Sequence, residues 1–321
     1  MNAADASNEN GPAKHLPVMV QEIVDVFRPV PEGVIVDATV GAGGHSAAIL
    51  AARPDLSVIG LDRDEDALTE ASVATARFGA RVTLVHAPFD TLADVVRDHG
   101  RERVSGVLFD LGVSSMQLDR AERGFSYRGD GPIDMRMDRT QPFSASDVVN
   151  GYPFEPLAEL IARFGGERFA ARIARNVIDA RPLSTTAELA DVVRNAIPAP
   201  ARRRGGHPAR RTFQAIRMEV NAELAQIPRA LDQALDLLAP GGRAAVLAYH
   251  SGEDRLVKAR FVYAATGGCV CPPGLPCGCG AEPDVSLLWR GAHKPTAAEV
   301  AANRRAESAR LRAVEKLRSP A

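Results

Sequence analysis

The first third of the chain alternates between short apolar runs and amphipathic stretches. Apolar, often β-branched runs of this length are typical of buried parallel strands, and the stretches between them have helical spacing. The predicted strands are Val34–Val36, Ser57–Asp62, Arg81–Val85 and Val104–Asp110. The predicted helices are Val18–Phe27, Ser46–Ala52, Asp64–Arg77 and Thr91–Asp98. Strands that alternate with helices predict βαβ units, a parallel sheet and an α/β fold.

This alternation stops after Gly112, and no convincing strand follows before Arg211. Thr185 and Glu188 have the spacing of a capping box ahead of a helix. The helical patterns of this region are Glu155–Phe164, Glu167–Ala180 and Ala187–Ala196. We therefore predict one sheet domain made of residues 15–115 and 212–321, and a helical insertion, residues 116–211.

The sheet pattern resumes in the last third of the chain. A long amphipathic stretch, Gln214–Leu238, predicts a helix that is kinked at Pro228. Arg243–Tyr249 predicts a strand, and Glu253–Ala265 predicts a helix. Ala309–Val314 fits either a closing strand or a helix, and both interpretations remain open.

Composition narrows the class of protein. The 321 residues are 45% hydrophobic and 25% charged, which is typical of a globular protein. The net charge of −1 makes no overall case for nucleic acid, so an argument for RNA must be local. Met1–Lys14 is polar and without a signal-peptide core, so we expect a disordered tail. All four cysteines lie between Cys269 and Cys279, which favours a reducing cytoplasm over a framework of disulfides.

A glycine-rich turn separates the first strand from its helix. Gly41, Gly43 and Gly44 lack a Cβ, so the backbone can turn sharply and approach a ligand. Asp62 ends the second strand roughly 20 residues later, the spacing at which a carboxylate reaches a ribose hydroxyl. Asp37 precedes the turn, and the final glycine of the dinucleotide fingerprint is missing. A cofactor with a ribose, an adenine and a sulfonium fits better than one with a pyrophosphate, and S-adenosylmethionine is such a cofactor. A tight turn without a ligand is the alternative.

Asp110 is a second acid at a strand end, predicted to face the same crevice. A carboxylate there can accept a hydrogen bond from an amine that is being methylated, which favours its reactive, pyramidal geometry. Methylation of a pyrimidine at carbon 5 normally needs a cysteine nucleophile near this strand end, and the nearest cysteine is the distant Cys269. Methylation of nitrogen is therefore favoured. The other interpretation is that Asp110 only caps the following turn.

Several long motifs resemble the RsmH (MraW) family of small-subunit rRNA cytidine-N4 methyltransferases. The resemblance covers His15 to about Lys316, with Gly252 standing where the family usually has leucine. The motifs that carry it are Asp110–Asp119, Glu122–Asp138, Gly166–Arg175, His207–Ile216 and Tyr249–Lys258.

The resemblance implies a Rossmann-like class I methyltransferase sheet with an inserted small helical domain. It also implies methyl transfer from S-adenosylmethionine to N4 of a cytidine in the decoding region of 16S rRNA, with naked rRNA or the small ribosomal subunit as partner. Asp62 would hold the ribose, and Phe89 would lie against the adenine. The residues implied in cofactor binding are Gly43, Gly44, His45, Asp62, Phe89, Asp110 and Gln117.

Positive charge concentrates in the predicted insertion. Residues 151–217 contain 12 arginines, no lysine and six acidic residues. Because a guanidinium can bind a phosphate through two parallel hydrogen bonds, we favour an RNA-backbone clamp over a solvated loop. The clamp residues would be Arg203, Arg204, Arg210 and Arg211.

Three more positions are candidates for substrate contact. Asp134 and Arg136 follow the Asp110 loop and would wall a cytidine pocket, unless they belong to a solvated turn. His250 ends a strand near the same crevice and would bind RNA or tune the site; a lone histidine is otherwise structural.

Cysteines form one compact cluster late in the chain. Cys269, Cys271, Cys277 and Cys279 match the number of ligands of a structural zinc. The single residue inside each pair is tighter than usual zinc spacing, so zinc and four reduced thiols both remain open.

Two other functions remain as alternatives. A nicotinamide-dependent oxidoreductase is disfavoured by Asp37 and by the missing glycine, and a non-catalytic RNA-binding module is disfavoured by the intact Asp62 and Asp110.

Overall fold

A seven-stranded sheet forms the centre of the molecule in a computed structural model that describes residues 17–202, 206–272 and 278–317. The strands are β1 (Gly33–Asp37), β2 (Leu56–Asp62), β3 (Val82–His86), β4 (Val104–Asp110), β5 (Leu238–Ala248), β6 (Val285–Leu287) and β7 (Arg310–Lys316). Their order is β3-β2-β1-β4-β5-β7-β6. Strands β1 to β5 are parallel, whereas β7 is antiparallel to both β5 and β6.

Both faces of this sheet are covered, which explains why its strands are nearly continuous apolar runs. Successive side chains of β4 point to opposite faces: Phe109 packs into one core and Leu108 into the other. The rest of these cores comes from α1 (Val20–Phe27), α2 (Gly44–Ala52) and α4 (Leu92–Asp98) before the insertion, and from α12 (Glu223–Leu237) and α13 (Ser251–Thr266) after it. Two further helices are α3 (Glu65–Thr75), which follows β2, and the short α14 (Ala297–Ala302), which has no buried residue.

This architecture confirms the predicted α/β fold with a Rossmann-like sheet. The strand order reverses between β1 and β4, because β2 and β3 lie on one side and β5 on the other. Ligands of open α/β sheets bind at such a switch point, outside the carboxyl ends of the strands. The glycine turn and Asp110 therefore flank the crevice.

Between β4 and β5 the described chain forms helices and no strand of the sheet. The capping box of Thr185 and Glu188 is present. Buried apolar residues between Phe125 and Val220 form a third core. The helices of this region are α5 (Ser115–Asp119), α6 (Ala145–Gly151), α7 (Phe154–Gly165), α8 (Ala170–Asp179), α9 (Thr186–Ala196), α10 (Ala199–Arg202) and α11 (Arg210–Val220).

The prediction of one continuous helix over Gln214–Leu238 is wrong, because the structure has two helices there, α11 and α12. The chain breaks at Asn221 and Ala222, where Ala222 has φ 48°, and Pro228 lies inside the second helix. The buried Asn221 side chain accepts a hydrogen bond from Met137 N and donates one to Met135 O, each over 2.8 Å. These contacts with a distant segment set the break, and the amphipathic period does not reveal them.

At the other end of the sheet, the open question about Ala309–Val314 is resolved in favour of a strand, and β6 is a further strand that the pattern did not predict. Among the described helices, none is both long and apolar enough to cross a membrane.

Candidate active site

A cavity opens at the carboxyl ends of β1, β2, β4 and β5. Polar residues at the ends of these four strands line the cavity: Thr39, Asp62, Asp110 and Tyr249. The two acidic strand ends singled out in the sequence therefore face one cavity. A ligand in this cavity would contact side chains from four neighbouring strands.

The glycine turn and Asp62 hold each other in place. Gly41 N donates to Asp62 Oδ2 over 2.9 Å, and Asp64 N donates to Asp62 Oδ1 over 2.9 Å. Burial raises the pKa of Asp62 to about 6 in spite of these two bonds. Each carboxylate oxygen has two lone pairs, so the cavity side of Asp62 can still accept a hydroxyl donor.

Gly43 and Gly44 do not border this cavity. Gly43 has φ 79°, and a Cβ there would lie 3.1 Å from Ala71 Cα. A Cβ on Gly44 would lie 2.4 Å from Pro17 Cγ. Both glycines are therefore required for close packing of α2, and their contacts with a cofactor stay a prediction.

Asp110 lies between a histidine and a tyrosine. Tyr249 OH donates to Asp110 Oδ1 over 2.8 Å, and His45 Nδ1 lies 3.5 Å from Asp110 Oδ2. His45 Nε2 is 2.9 Å from Val18 O, so it carries a proton, because a carbonyl oxygen only accepts. Burial raises the pKa of Asp110, and the charge of His45 and the Tyr249 hydrogen bond offset part of this rise. His45 thus lies behind Asp110, outside the cavity wall.

Asp37 is an additional acid, buried below the turn. Ser46 Oγ donates to Asp37 Oδ2 over 2.6 Å, and burial raises the pKa of Asp37. The carboxylate holds the start of α2 and does not border the cavity.

Phe89 and Gln117 line the cavity at its sides. Phe89 packs edge-to-face on Phe109, with ring centroids 6.0 Å apart, and the Arg63 guanidinium lies over its ring, 6.0 Å from the centroid. Gln117 is buried: its Nε2 donates to Asp64 Oδ2 over 2.8 Å, and its Oε1 accepts from Ser114 N over 3.0 Å. Gln117 therefore fixes the loop after β4 as well as forming part of the wall.

Sequence reasoning missed several residues of the wall, namely Tyr249, Arg63, Met137, Glu223, Gln226 and Glu253. Tyr249 directly follows β5, so the rule that found Asp62 and Asp110 could have found it. Arg63 NH1 donates to Asn221 O over 2.9 Å, and Glu223 forms a two-bond ion pair with Arg217. The Arg63 contact joins residues 158 positions apart in sequence, and the Glu223 pair spans the break between α11 and α12, which the amphipathic pattern did not predict.

The family of the chain follows from comparison with known proteins. The MraW methylase family matches residues 12–317. Ribosomal RNA small subunit methyltransferase H of Thermobifida fusca is 50% identical over 313 residues, which cover 95% of this chain and 94% of the relative. The protein of that name in Mycobacterium sp. strain KMS is 49% identical over an alignment that covers 98% of this chain and 87% of the relative. That in Symbiobacterium thermophilum is 50% identical over 310 residues, 95% of this chain and 97% of the relative.

The chain belongs to the MraW methylase family. This confirms the resemblance drawn from the motifs, and the chain is a methyltransferase.

Arg123 attaches the insertion of this MraW methylase to its sheet domain. Its guanidinium is 2% exposed and lies 2.8 Å from Asp64 Oδ2. It also donates to Arg136 O and Met137 O, over 3.0 and 3.1 Å. The sequence around Arg123 did not predict that this arginine is buried and paired.

Asp134 and Arg136 bind each other. Arg136 Nε and NH2 each donate to the Asp134 carboxylate over 2.8 Å, and neither residue borders the cavity. Met137 borders it instead. A direct role of this pair in cytidine binding stays a prediction.

A second, wider groove of the methylase is strongly basic. Arg210 and Arg211 border it, whereas Arg203 and Arg204 lie outside the described residues. Among the described residues along this groove, Glu167 is the one acid. The arginines there are Arg163, Arg168, Arg202, Arg210, Arg211 and Arg255.

His250 lies where this groove approaches the cavity. Its Nδ1 accepts from Gly252 N and Glu253 N over 3.1 and 3.3 Å, so its proton is on Nε2. Nε2 lies 3.0 Å from Glu253 Oε1, at an angle unsuited to a hydrogen bond. His250 borders the groove and Glu253 borders the cavity, so this pair separates the two.

The cysteine cluster lies on the loop that links α13 to β6. The sulfurs of Cys269, Cys271 and Cys279 come within 4.8 Å of one another, and Cys277 lies outside the described residues. A hydrogen bond from the Gly278 backbone lowers the pKa of the Cys271 thiol. No cysteine borders the cavity among its described lining residues.

Proposed function

We propose that this chain transfers the methyl group of S-adenosylmethionine to the exocyclic N4 amine of a cytidine in the decoding region of 16S rRNA. Membership of a methylase family and relatives named ribosomal RNA small subunit methyltransferase H support this activity. The observation that carries the proposal is that Asp62 and Asp110 face the same cavity at the switch point of the sheet. Acids on separate surfaces would have excluded it.

The residues of the cavity fit S-adenosylmethionine, which supplies an electrophilic methyl group on a sulfonium. Two backbone N–H groups donate to the Asp62 carboxylate. The remaining lone pairs of its oxygens can accept hydrogen bonds from ribose hydroxyls. Phe89 lines the cavity and would lie against the adenine. The acids around the cavity favour a cation and disfavour a pyrophosphate, which argues against the nicotinamide alternative.

Asp110 would act on the cytidine amine. The lone pair of this amine is delocalised into the ring, so the amine is a weak nucleophile until a neighbouring acceptor draws on its hydrogens. Asp110 Oδ1 already accepts from Tyr249, which fixes the orientation of the carboxylate. A preoriented acceptor in a partly dry cavity stabilises the charge that develops on the nitrogen. No described cysteine borders the cavity, which supports methylation of nitrogen over carbon 5.

The basic groove would guide the RNA backbone to the cavity. The guanidinium groups of Arg210 and Arg255 make no hydrogen bond or ion pair with a described residue, so they are available to phosphates. Arginine neutralises phosphates and releases counterions on binding. We assign this role to the groove, with Arg203 and Arg204 as further predicted contacts.

The domain division remains part of the proposal. Residues 15–115 and 212–321 would bind the cofactor, and residues 116–211 would recognise RNA. Helix α11 starts near the second boundary and packs in the core of the insertion. A ribosomal substrate would place the enzyme in the cytoplasm.

Transfer of labelled methyl groups to 16S rRNA, naked or in small subunits, tests the function. Nucleoside analysis should locate the label on N4 of one cytidine. Asp110→Asn should reduce turnover by about 100-fold or more, since it removes the charged acceptor. Asp98→Asn, on the exposed end of α4, is the matched control and should be fully active. Label on a ring carbon, or full activity of Asp110→Asn, would refute the proposal.

A further inference from the structure

The loop between α13 and β6 is closed at its base. Gly268 N donates to Tyr263 O over 3.0 Å, and Asp284 N donates to Ala264 O over 2.9 Å. Both ends of the loop are thus attached to the last turns of α13. A Cβ on Gly267 would lie 2.4 Å from Glu282 O, so the two ends of the loop touch. The described residues between them contain neither helix nor strand.

Three sulfurs of the described residues meet within this loop. Cys269 and Cys271 are half-buried, Cys279 is exposed, and Val270 between the first two is 87% exposed. Burial of apolar groups therefore does not explain why the cysteines converge. A common ligand of the sulfurs would explain it.

The spacing of the sulfurs agrees with a tetrahedral metal site. As thiols, Cys279 Sγ donates a hydrogen bond to Cys269 Sγ over 3.6 Å, and a similar separation suits two thiolate ligands of one metal ion. Zinc binds thiolates at about 2.3 Å, so two thiolates of a tetrahedral site lie about 3.8 Å apart. Backbone N–H groups of Gly278 and Cys279 face the Cys271 sulfur, and such hydrogen bonds support a thiolate ligand.

We propose that Cys269, Cys271 and Cys279 bind one structural zinc ion. A water molecule completes the tetrahedral coordination. Zinc is favoured among divalent cations because soft thiolates select it over magnesium and calcium. The other cluster of potential ligands among the described residues, Glu223, His250 and Glu253, is unsuited to zinc. There, Arg217 already pairs with Glu223, and backbone N–H groups occupy His250 Nδ1.

This zinc would be structural and would take no part in methyl transfer. Helix α13 has 16 residues, which at about 1.5 Å per residue separates its two ends by roughly 24 Å. Its first turn borders the cavity through Glu253, and its last turn carries the cysteine loop. The ion would stabilise the connection from α13 to the edge strand β6.

Metal analysis of the full chain, purified under reducing conditions without chelator, tests the proposal. We expect about one zinc per chain. Cys269→Ser, Cys271→Ser and Cys279→Ser should each lose most of it, whereas the matched control Val270→Ser in the same loop should retain it. Zinc retained by all three serine variants would overturn the proposal.

A cobalt titration of metal-stripped wild-type protein provides a second measurement that needs no variant. Thiolate-to-cobalt charge-transfer absorption should rise until one equivalent is bound, and zinc should then displace the cobalt. Folded protein without zinc and without this absorption would show ordinary reduced thiols and refute the site. Both measurements read the metal directly, so their outcome is independent of the methyl-transfer activity.

Discussion

The hydroxyl of Tyr249 donates a 2.8 Å hydrogen bond to the carboxylate of Asp110. Asp110 ends β4 and Tyr249 directly follows the neighbouring parallel strand β5, so the register of the sheet brings them together. Burial and the Asp110 charge raise the pKa of Tyr249, which keeps it a neutral donor at physiological pH. The tyrosine thus orients the acceptor on which the proposed chemistry depends.

Removal of this donor should change both the rate and its pH dependence. Tyr249→Phe should lower kcat by about tenfold, the effect of one hydrogen bond to a charged group. The hydrogen bond lowers the pKa of Asp110, so its loss raises that pKa. Activity should then fall at a higher pH on the acid side, as Asp110 becomes protonated. A pH profile of kcat with an unmoved acid limb would contradict this orientation role.

Asp62 should give the folded protein a specific pH dependence. Its folded pKa of about 6 exceeds the ordinary value of 3.8. A raised pKa contributes stability that is fully present below pH 4 and is lost as the pH rises through 6. Relative to Asp62→Asn, the wild type should therefore lose up to about 3 kcal/mol of unfolding free energy across this range. Urea unfolding from pH 4 to pH 7 measures the difference, and parallel curves would refute it.

Arg120 and Arg123, which both pair with Asp66, should differ strongly in their contribution to the free energy of unfolding. Arg123→Ala leaves the buried Asp64 without its cation, so we expect a loss of about 3–5 kcal/mol. Arg120 pairs with Asp66 and Glu70 at the surface, and Arg120→Ala should change stability by about 1 kcal/mol or less. Denaturant unfolding of both variants makes the comparison. Equal losses would show that burial of Arg123 has no energetic consequence.

The affinity for RNA should fall with rising salt concentration, because the arginines of the basic groove neutralise RNA phosphates. The double variant Arg210→Ala with Arg255→Ala should bind 16S rRNA more weakly. The slope of log affinity against log salt should flatten by about 0.7 for each phosphate that the variant no longer neutralises. Arg97→Ala, an exposed arginine of α4 paired with Asp94, is the control and should keep the wild-type slope. Filter binding at several salt concentrations measures this, and an unchanged slope in the double variant would exclude the groove as the path of the RNA backbone.

The sequence predicted the parts of the molecule that local physics determines. Strands β1, β2 and β4 are buried on both faces, so they read as apolar runs, and their terminal acids marked the cavity in advance. The break between α11 and α12 could not be predicted, because the amphipathic period continues across Asn221. Only the hydrogen bonds of that side chain to Met135 and Met137 distinguish a break from a continuous helix.

Within the candidate site the same limit applies. Asp62 and Asp110 were found because each ends a strand, whereas Glu223 and Gln226 reach the cavity from a helix more than a hundred residues later in the chain. The glycine turn was recognised, but Gly43 and Gly44 serve the packing of α2 on Ala71 and Pro17. A glycine in the sequence indicates that another group comes close to the backbone, but it does not show whether that group is a ligand or a neighbouring helix.

Asp64 connects Arg123 to the proposed cofactor site. Its backbone N–H holds Asp62, while its carboxylate holds Arg123 and Gln117. One residue thereby touches the proposed ribose acceptor, the loop after β4 and the anchor of the insertion. Linkage between two ligands of one protein is reciprocal. If a displacement of Arg123 on capture of RNA changes the affinity for the methyl donor through Asp64, then donor loading must change the capture of RNA by the same factor.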